Sequence, residues 1–225
     1  MVYNTYQLGN NMNQVKKLTI MNNASFFNKT MLAQVMDIKE NALSENIKRW
    51  LKKGILIRLK NGFYVTKEYY QSIPEKQAYV EFVANILKKP SYLSTEYILQ
   101  KYGILSESVF AITSITRKKT RMYINPIGTF LYSNIKDELF TGYRIVNRGG
   151  FDIKEASKAK ALFDFFYLRL YQAKIINREW IESFRLNLDE VTKSDFMEFD
   201  SYIRLTKMRK FSELTGLLKE IQNDR

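Results

Sequence analysis

A run of polar and basic side chains between positions 41 and 61 has the residue types that contact nucleic acid. Asparagine and arginine can make paired hydrogen bonds to base edges, asparagine to adenine and arginine to guanine. Serine and lysine suit phosphate oxygens, which hold a protein on the duplex without reading its sequence. We predict DNA contacts for the residues of this kind, which are Asn41, Ser44, Lys48, Arg49, Lys52, Arg58, Lys60 and Asn61.

A helix would have to present the first five of these side chains. From about Glu40 onward, one set of apolar residues repeats at helical spacing and leaves the polar residues on the opposite face. Gly54 stands where a left-handed residue ends a helix. The apolar set is Leu43, Ile47, Trp50 and Leu51.

A β-hairpin would present the remaining three. The segment ILIRL alternates after Gly54, and Asn61-Gly62 predicts a two-residue type I′ turn before FYV returns. In that arrangement Arg58 and Lys60 point away from the apolar side of the hairpin, toward a phosphate backbone.

Two shorter helices are predicted upstream. Val15, Leu18 and Met21 repeat at helical spacing, and Phe26 and Phe27 follow as an apolar anchor. Asn28 is a candidate N-cap for a helix over 29–36 that turns Met31, Leu32 and Val35 inward.

The predicted order is therefore helix, helix, turn, helix and hairpin, which is typical of a winged helix-turn-helix unit. In that unit the third helix enters the major groove and the hairpin lies against the backbone. Two alternatives remain for the same pattern, an ordinary solvated helix and a module that binds proteins.

The distribution of charge favours a polyanionic partner. The 225 residues contain 36 Lys+Arg and 23 Asp+Glu, a net charge of +13. Residues 1–66 hold 10 basic and 3 acidic residues, net +7, and the remaining 159 hold 26 and 20, net +6. A composition rich in Lys, Asn, Ile and Tyr also arises from AT-rich coding. The concentration at the N-terminal end nevertheless favours nucleic-acid binding.

The absence of two residue types excludes several kinds of site. Without cysteine the chain forms no disulfide, and without histidine it has no histidine base, Ser-His-Asp triad or histidine-liganded zinc. The common nucleotide and hydrolase motifs are missing too. No long apolar run or signal peptide is found. Any enzyme here would have to work with carboxylates, Lys, Tyr, Ser or Thr alone. We expect a cytoplasmic protein that is not an enzyme and has no cofactor, no metal and no membrane partner.

The second part of the chain predicts a mixed α+β domain, which makes the whole chain α+β. We place the boundary at Pro74, with a winged helix domain over 1–74 and an α+β domain over 75–225. Strands are predicted from Val109 onward, with the turn RKKTR at a hairpin tip. This turn is either a solvated loop or a second anion contact formed by Arg117, Lys118, Lys119 and Arg121.

The segment ASKAKALFDFFYLRLY predicts a helix with a wide apolar stripe formed by Leu162, Phe165, Phe166 and Leu170. Lys160 and Asp164 are one turn apart and can form an ion pair. Such a pair contributes about 0.3–0.5 kcal/mol when it is exposed.

Four segments of the second part, in this order, resemble the AbiEi antitoxin family of type IV toxin–antitoxin systems, which is associated with abortive phage infection. They are YLSTEYILQKYGIL, TSITRKKTR, the Gly142-Tyr143 pair and ASKAKALFDFFYL. The resemblance spans about residues 26–170 and includes LKKGILIRLKNGFYV. In the family motif, Pro-Glu usually precedes Lys-Ala-Leu. Lys160 and Asp164 match the motif, but Lys158 and Ala159 replace Pro-Glu, so any role of that Glu does not carry over.

The resemblance implies a function. The N-terminal domain of this family binds inverted repeats upstream of its own operon and represses it. The C-terminal domain antagonises a nucleotidyltransferase-like toxin encoded alongside, and a stable complex with the toxin is not required. The expected partners are thus double-stranded operator DNA and a cognate toxin.

The alternative is an enzyme that processes nucleic acid with a metal ion and uses the winged helix as a substrate clamp. Its metal ligands would have to come from Asp137, Glu138, Asp164, Asp189 and Glu190. No metal-binding motif accompanies these carboxylates.

Overall fold

The computed structural model describes residues 17–206 and 208–224 and divides the chain into two compact units. The first contains Met1–Lys76 with Asn125–Ile127, and the second contains Gln77–Ile124 with Gly128–Arg225. The main division falls two residues after the domain boundary expected from Pro74. Both units contain helices and strands, so the expected α+β class is confirmed.

The first unit combines helices with a small antiparallel sheet. A 3₁₀ helix at Thr19–Asn23 precedes α1 (Lys29–Met36) and α2 (Glu40–Lys52), and α3 spans Lys67–Ser72. The strands are β1 (Phe27–Asn28), β2 (Leu56–Lys60) and β3 (Phe63–Thr66), in the sheet order β1-β3-β2. The two-residue β1 is too short to have a sequence pattern and was not expected.

The start of α1 agrees with the prediction, and one of its inward residues does not. The side chain of Asn28 accepts a hydrogen bond from the backbone N–H of Met31 at 2.8 Å, as an N-cap does. The Met31 side chain is 41% exposed, so its expected inward position is wrong. Leu32 and Met36, one turn apart, fill the core instead. Leu18 and Met21 are also buried, whereas Val15 lies outside the described residues.

The helix α2 has the predicted apolar face and the predicted end. Leu43, Ile47 and Trp50 are buried in the core of the unit. After the helix, Gly54 has a φ of +67°. Its N–H donates to the carbonyl of Leu51, and the next N–H donates to the carbonyl of Trp50. These two bonds form a Schellman motif, which satisfies carbonyls that the helix leaves unpaired.

The hairpin forms where expected, but its turn is of another type. A type I′ turn requires positive φ at both central residues. Gly62 has a φ of +78°, whereas Asn61 is not among the described non-glycine residues with positive φ. The predicted type I′ geometry is therefore wrong.

The register of the hairpin explains this difference. The pairing of β2 with β3 shifts between Arg58 and Lys60, which marks a bulge. Leu56 and Leu59 are consequently both buried although they are three positions apart. A bulge inserts one extra residue and breaks the strict alternation that the sequence suggested.

The second unit has a six-stranded mixed sheet with helices on it. Its strands are β4 (Ser91–Leu93), β5 (Ala111–Thr116), β6 (Arg121–Asn125), β7 (Gly128–Asn134), β8 (Tyr143–Arg148) and β9 (Phe151–Ala156). Its helices are α4 (Lys76–Leu87), α5 (Thr95–Lys101), α6 (Lys158–Leu170), α7 (Arg178–Glu182), α8 (Lys193–Thr206) and α9 (Arg209–Asn223). Short 3₁₀ helices lie at Asp137–Leu139 and Leu188–Glu190.

The strand order corrects the expected position of the basic turn. The order is β6-β7-β5-β4-β9-β8, so β7 lies between β5 and β6 and pairs with β5 in parallel. The turn between β5 and β6 is therefore a crossover and not a hairpin tip. Five of the six residues of β5 are buried, as is usual for a strand whose two faces are both covered.

The helix α6 lies at the centre of the second unit. Its predicted apolar stripe is buried, and so are most of the residues on its other faces, including Lys160 and Asp164. The helix is thus enclosed on all sides and is not amphipathic. In the described part of the chain, no helix has the length and apolar character needed to cross a membrane.

Candidate nucleic-acid interface

The outward face of α2 is polar and largely open to solvent. Asn41, Lys48 and Lys52 are exposed, and Ser44 and Arg49 are half-buried. The predicted contact residues on α2 therefore share one accessible helix face. Their role in DNA contact stays a prediction.

Two of these side chains are already engaged within the helix. The Arg49 guanidinium donates to the amide oxygen of Asn46, a polar residue that is only 4% exposed. The Lys48 ammonium lies 2.7 Å from the Glu45 carboxylate, and both side chains are well exposed. The bond to Asn46 limits the orientation of the Arg49 guanidinium, whose five N–H donors have fixed geometry. Asn46 was not predicted as part of the site, although residues three positions apart, such as Asn46 and Arg49, are neighbours on a helix surface.

The hairpin residues that are predicted to contact DNA have different surroundings. Arg58 is exposed, and so is the neutral Asn61 at the turn. The Lys60 ammonium lies 4.1 Å from the centroid of the Phe63 ring, which itself stacks on Phe26 at 5.8 Å. A cation over an aromatic face is attracted by the ring quadrupole, so Lys60 is held near the turn.

The basic turn of the second unit also carries accessible charge. Lys118, Lys119 and Arg121 are exposed, and Arg117 lies 3.9 Å from Asp137, at the limit of an ion pair. Burial lowers the pKa of the nearby Lys88, and the positive charges of Arg121 and Lys118 lower it further. Like charges thus accumulate here, as the second anion contact requires.

The two family-motif positions form a buried ion pair. The Lys160 ammonium lies 2.5 Å from the Asp164 carboxylate, and both side chains are fully buried. The hydroxyls of Tyr92 and Ser94 donate to the other carboxylate oxygen at 3.0 and 2.7 Å. Burial lowers the pKa of Lys160, and burial raises the pKa of Asp164 against the opposing effect of Lys160. The ion pair expected from their spacing is confirmed, and it is buried, so the magnitude given for an exposed pair does not apply.

A second buried charge cluster joins α4 to the sheet. The carboxylates of Glu81 and Glu155 both contact Arg148, at 2.5 and 2.6 Å, and both contact Lys101. Burial alone would raise the pKa of Glu155, but the hydrogen bond from Arg148 and the two positive charges lower it overall. Arg144 also lies 3.6 Å from Glu155. Three cations thus surround the two acids, and the cluster is a structural ion network.

The carboxylates required by the metal-dependent alternative do not form a metal site among the described residues. No three acidic side chains in those ranges lie in an arrangement that could hold a metal ion. Of the five proposed ligands, Asp164 is bound to Lys160, Tyr92 and Ser94.

Comparison with protein-family models and with curated proteins finds no match for this chain. The resemblance to the AbiEi family therefore stays a prediction from the four sequence segments.

Proposed function

We propose that this protein is a DNA-binding transcriptional repressor and the antitoxin of a type IV toxin–antitoxin system. The observation that carries the DNA-binding part is the first unit. It has a three-stranded sheet in the order β1-β3-β2. The helix α2, whose outward face carries Lys48, Arg49 and Lys52, directly precedes the hairpin that carries Arg58 and Lys60. These elements support a winged helix-turn-helix arrangement, in which α2 would enter the major groove and the hairpin would lie on the backbone.

The expected ligand is a double-stranded operator with inverted repeats upstream of the gene. A titration of the full chain with this upstream DNA, at several salt concentrations, tests the proposal. The affinity should fall steeply as salt rises, because bound phosphates release their counterions. An affinity independent of salt would favour the protein-binding alternative for the same unit.

A variant of α2 that lacks three cations tests whether this helix contacts the DNA. We expect Lys48→Ala/Arg49→Ala/Lys52→Ala to lower operator affinity by at least about tenfold. The matched control is Lys174→Ala/Arg185→Ala/Lys193→Ala, which removes three exposed cations of the second unit. Equal losses in the two variants would mean that net charge, and not α2, determines binding.

The antitoxin part of the proposal rests on the resemblance alone. In that reading, the second unit antagonises a nucleotidyltransferase-like toxin encoded next to this gene. No stable complex between the two proteins is required for this antagonism.

A further inference from the structure

A groove of about 620 Å³ opens on the first unit. The end of α2, the strand β2 and the helix α3 line it, together with Pro126, which belongs to the same unit. The volume lies within the range of about 300–1,000 Å³ that is usual for small-molecule sites. The groove is therefore large enough to hold a small organic molecule.

The groove combines apolar walls with positive charge. Leu51 and Ile57, which are half-buried, contribute apolar surface, and Arg58 and Lys67 are the charged residues of the described lining. Among the residues that the structure describes, no acidic side chain lines the groove. Within the described ranges, no hydrogen bond or ion pair engages the side chain of Arg58 or Lys67, so both can bind an external anion.

We propose that this groove binds a small organic anion, with a carboxylate or phosphate group at Arg58 and Lys67 and an apolar body against the leucine and isoleucine walls. A sugar–phosphate backbone has no apolar group to cover those walls. An inorganic anion would leave them exposed as well. The combination of two cations and apolar surface therefore favours an amphipathic ligand.

Binding at this groove would also oppose DNA binding, and this consequence rests on the proposed function. Arg58 lines the groove and is also a predicted phosphate contact of the hairpin. One guanidinium held by the ligand is not available to the DNA backbone. Because coupling between two ligands is reciprocal, DNA should weaken ligand binding by the same factor.

The test uses the full chain and three probes, namely benzoate, hexanoate and phenyl phosphate, with benzyl alcohol as the neutral compound. Titrations followed by calorimetry or NMR should show saturable binding of at least one anion and none of benzyl alcohol. Arg58→Gln/Lys67→Gln should weaken that binding by about tenfold or more. The control Lys39→Gln/Lys53→Gln removes two exposed charges outside the groove and should leave binding unchanged.

The outcomes separate this inference from the proposed function. The groove assignment is overturned if none of the three anions binds up to about 10 mM, or if both double variants weaken binding equally. Saturable anion binding that depends on Arg58 and Lys67 supports it even if the chain binds no DNA. Operator binding that is intact while all three probes fail rejects the groove and leaves the repressor proposal standing.

Discussion

Lys160 and Asp164 lose their hydration entirely when the second unit folds. Their spacing in the sequence correctly predicts that they pair, at 2.5 Å. Their burial depends on packing against distant residues, including Tyr92, and no helical pattern contains that information. Breaking one partner of a buried pair leaves an uncompensated charge, whereas breaking an exposed pair does not.

We therefore expect Asp164→Ala to destabilise the second unit by about 3–5 kcal/mol. The exposed pair of Lys219 and Asp200, at 2.9 Å, provides the matched control. Asp200→Ala should cost at most about 1 kcal/mol. Urea unfolding at neutral pH measures both. Replacing both buried partners, as Lys160→Met/Asp164→Leu, should recover most of the loss, and a double variant as unstable as Asp164→Ala would contradict this account.

A second prediction separates residues that read DNA sequence from residues that contact the backbone. Arg49→Ala should cost about 1–3 kcal/mol on the operator and much less on random DNA, since arginine pairs with guanine edges. Lys60→Ala should weaken both DNAs equally and lower the slope of log affinity against log salt by about 1. Salt titrations of both variants on operator and scrambled duplexes measure this. Equal losses on both DNAs for Arg49→Ala would mean that α2 does not read the sequence, and the turn from Arg117 to Arg121 would be tested next.

Tyr132 supplies a prediction about alkaline stability. Its hydroxyl is buried and donates to the carbonyl of Ala84 at 2.5 Å, and burial raises its pKa well above the usual value. A tyrosine with a raised pKa in the folded state contributes stability below the unfolded pKa of about 10, and this is lost as pH rises.

Above about pH 10, the free energy of unfolding should thus fall by up to about 1.4 kcal/mol per pH unit for this one group. Tyr132→Phe should cost about 1 kcal/mol at neutral pH and show a shallower alkaline decline. Denaturation curves between pH 8 and 11 test the sign, and parallel declines in the two proteins would refute it.

At the scale of elements, the sequence was most informative where local chemistry decides the structure. The Asn28 cap, the span of α2 and the turn after Gly54 all follow from residues within one or two turns. The predictions were wrong where the local structure depends on residues that are distant in the sequence. The strand order is one case: a hairpin at the basic turn implies that β5 pairs with β6, but β7 lies between them. The hydrogen bond that engages Arg49 is another, because whether Asn46 is buried depends on the fold.

At the scale of elements, alanine substitutions at two glycines should change the stability of their units in opposite directions. A Cβ at Gly54 or Gly216 would meet no heavy atom of the described residues within 4 Å, so neither substitution creates a clash with them. Gly54 has a φ of +67°, and alanine there should cost about 1–2 kcal/mol of first-unit stability through backbone strain. Gly216 lies inside α9, where alanine should add about 0.5–1 kcal/mol to the second unit. Thermal unfolding measures both, and a shift in the same direction for the two variants would contradict this explanation.

At the scale of the whole molecule, the division into two units allows repression and antagonism to be tested separately. If the second unit antagonises the toxin, the full chain carrying Lys48→Ala/Arg49→Ala/Lys52→Ala should still restore growth when the toxin is expressed from an unrelated promoter. A growth assay with the wild type as reference measures this. Loss of rescue by a variant that folds normally would mean that toxin control runs through repression.

The start of α5 has a consequence for how the second unit folds. Ser94 occupies the N-cap position, but its hydroxyl donates to Asp164, and it is Thr113 on β5 that accepts from the N–H of Tyr97 at 3.0 Å and donates to the Ser94 carbonyl. The N-terminus of α5 is thus capped by a side chain of β5 and not by its own N-cap residue. We therefore expect the nucleation of α5 and the docking of β5 to occur together during folding. The loop between them must close before either element gains its stabilising contacts. Thr113→Val should slow refolding of the unit and not merely speed its unfolding.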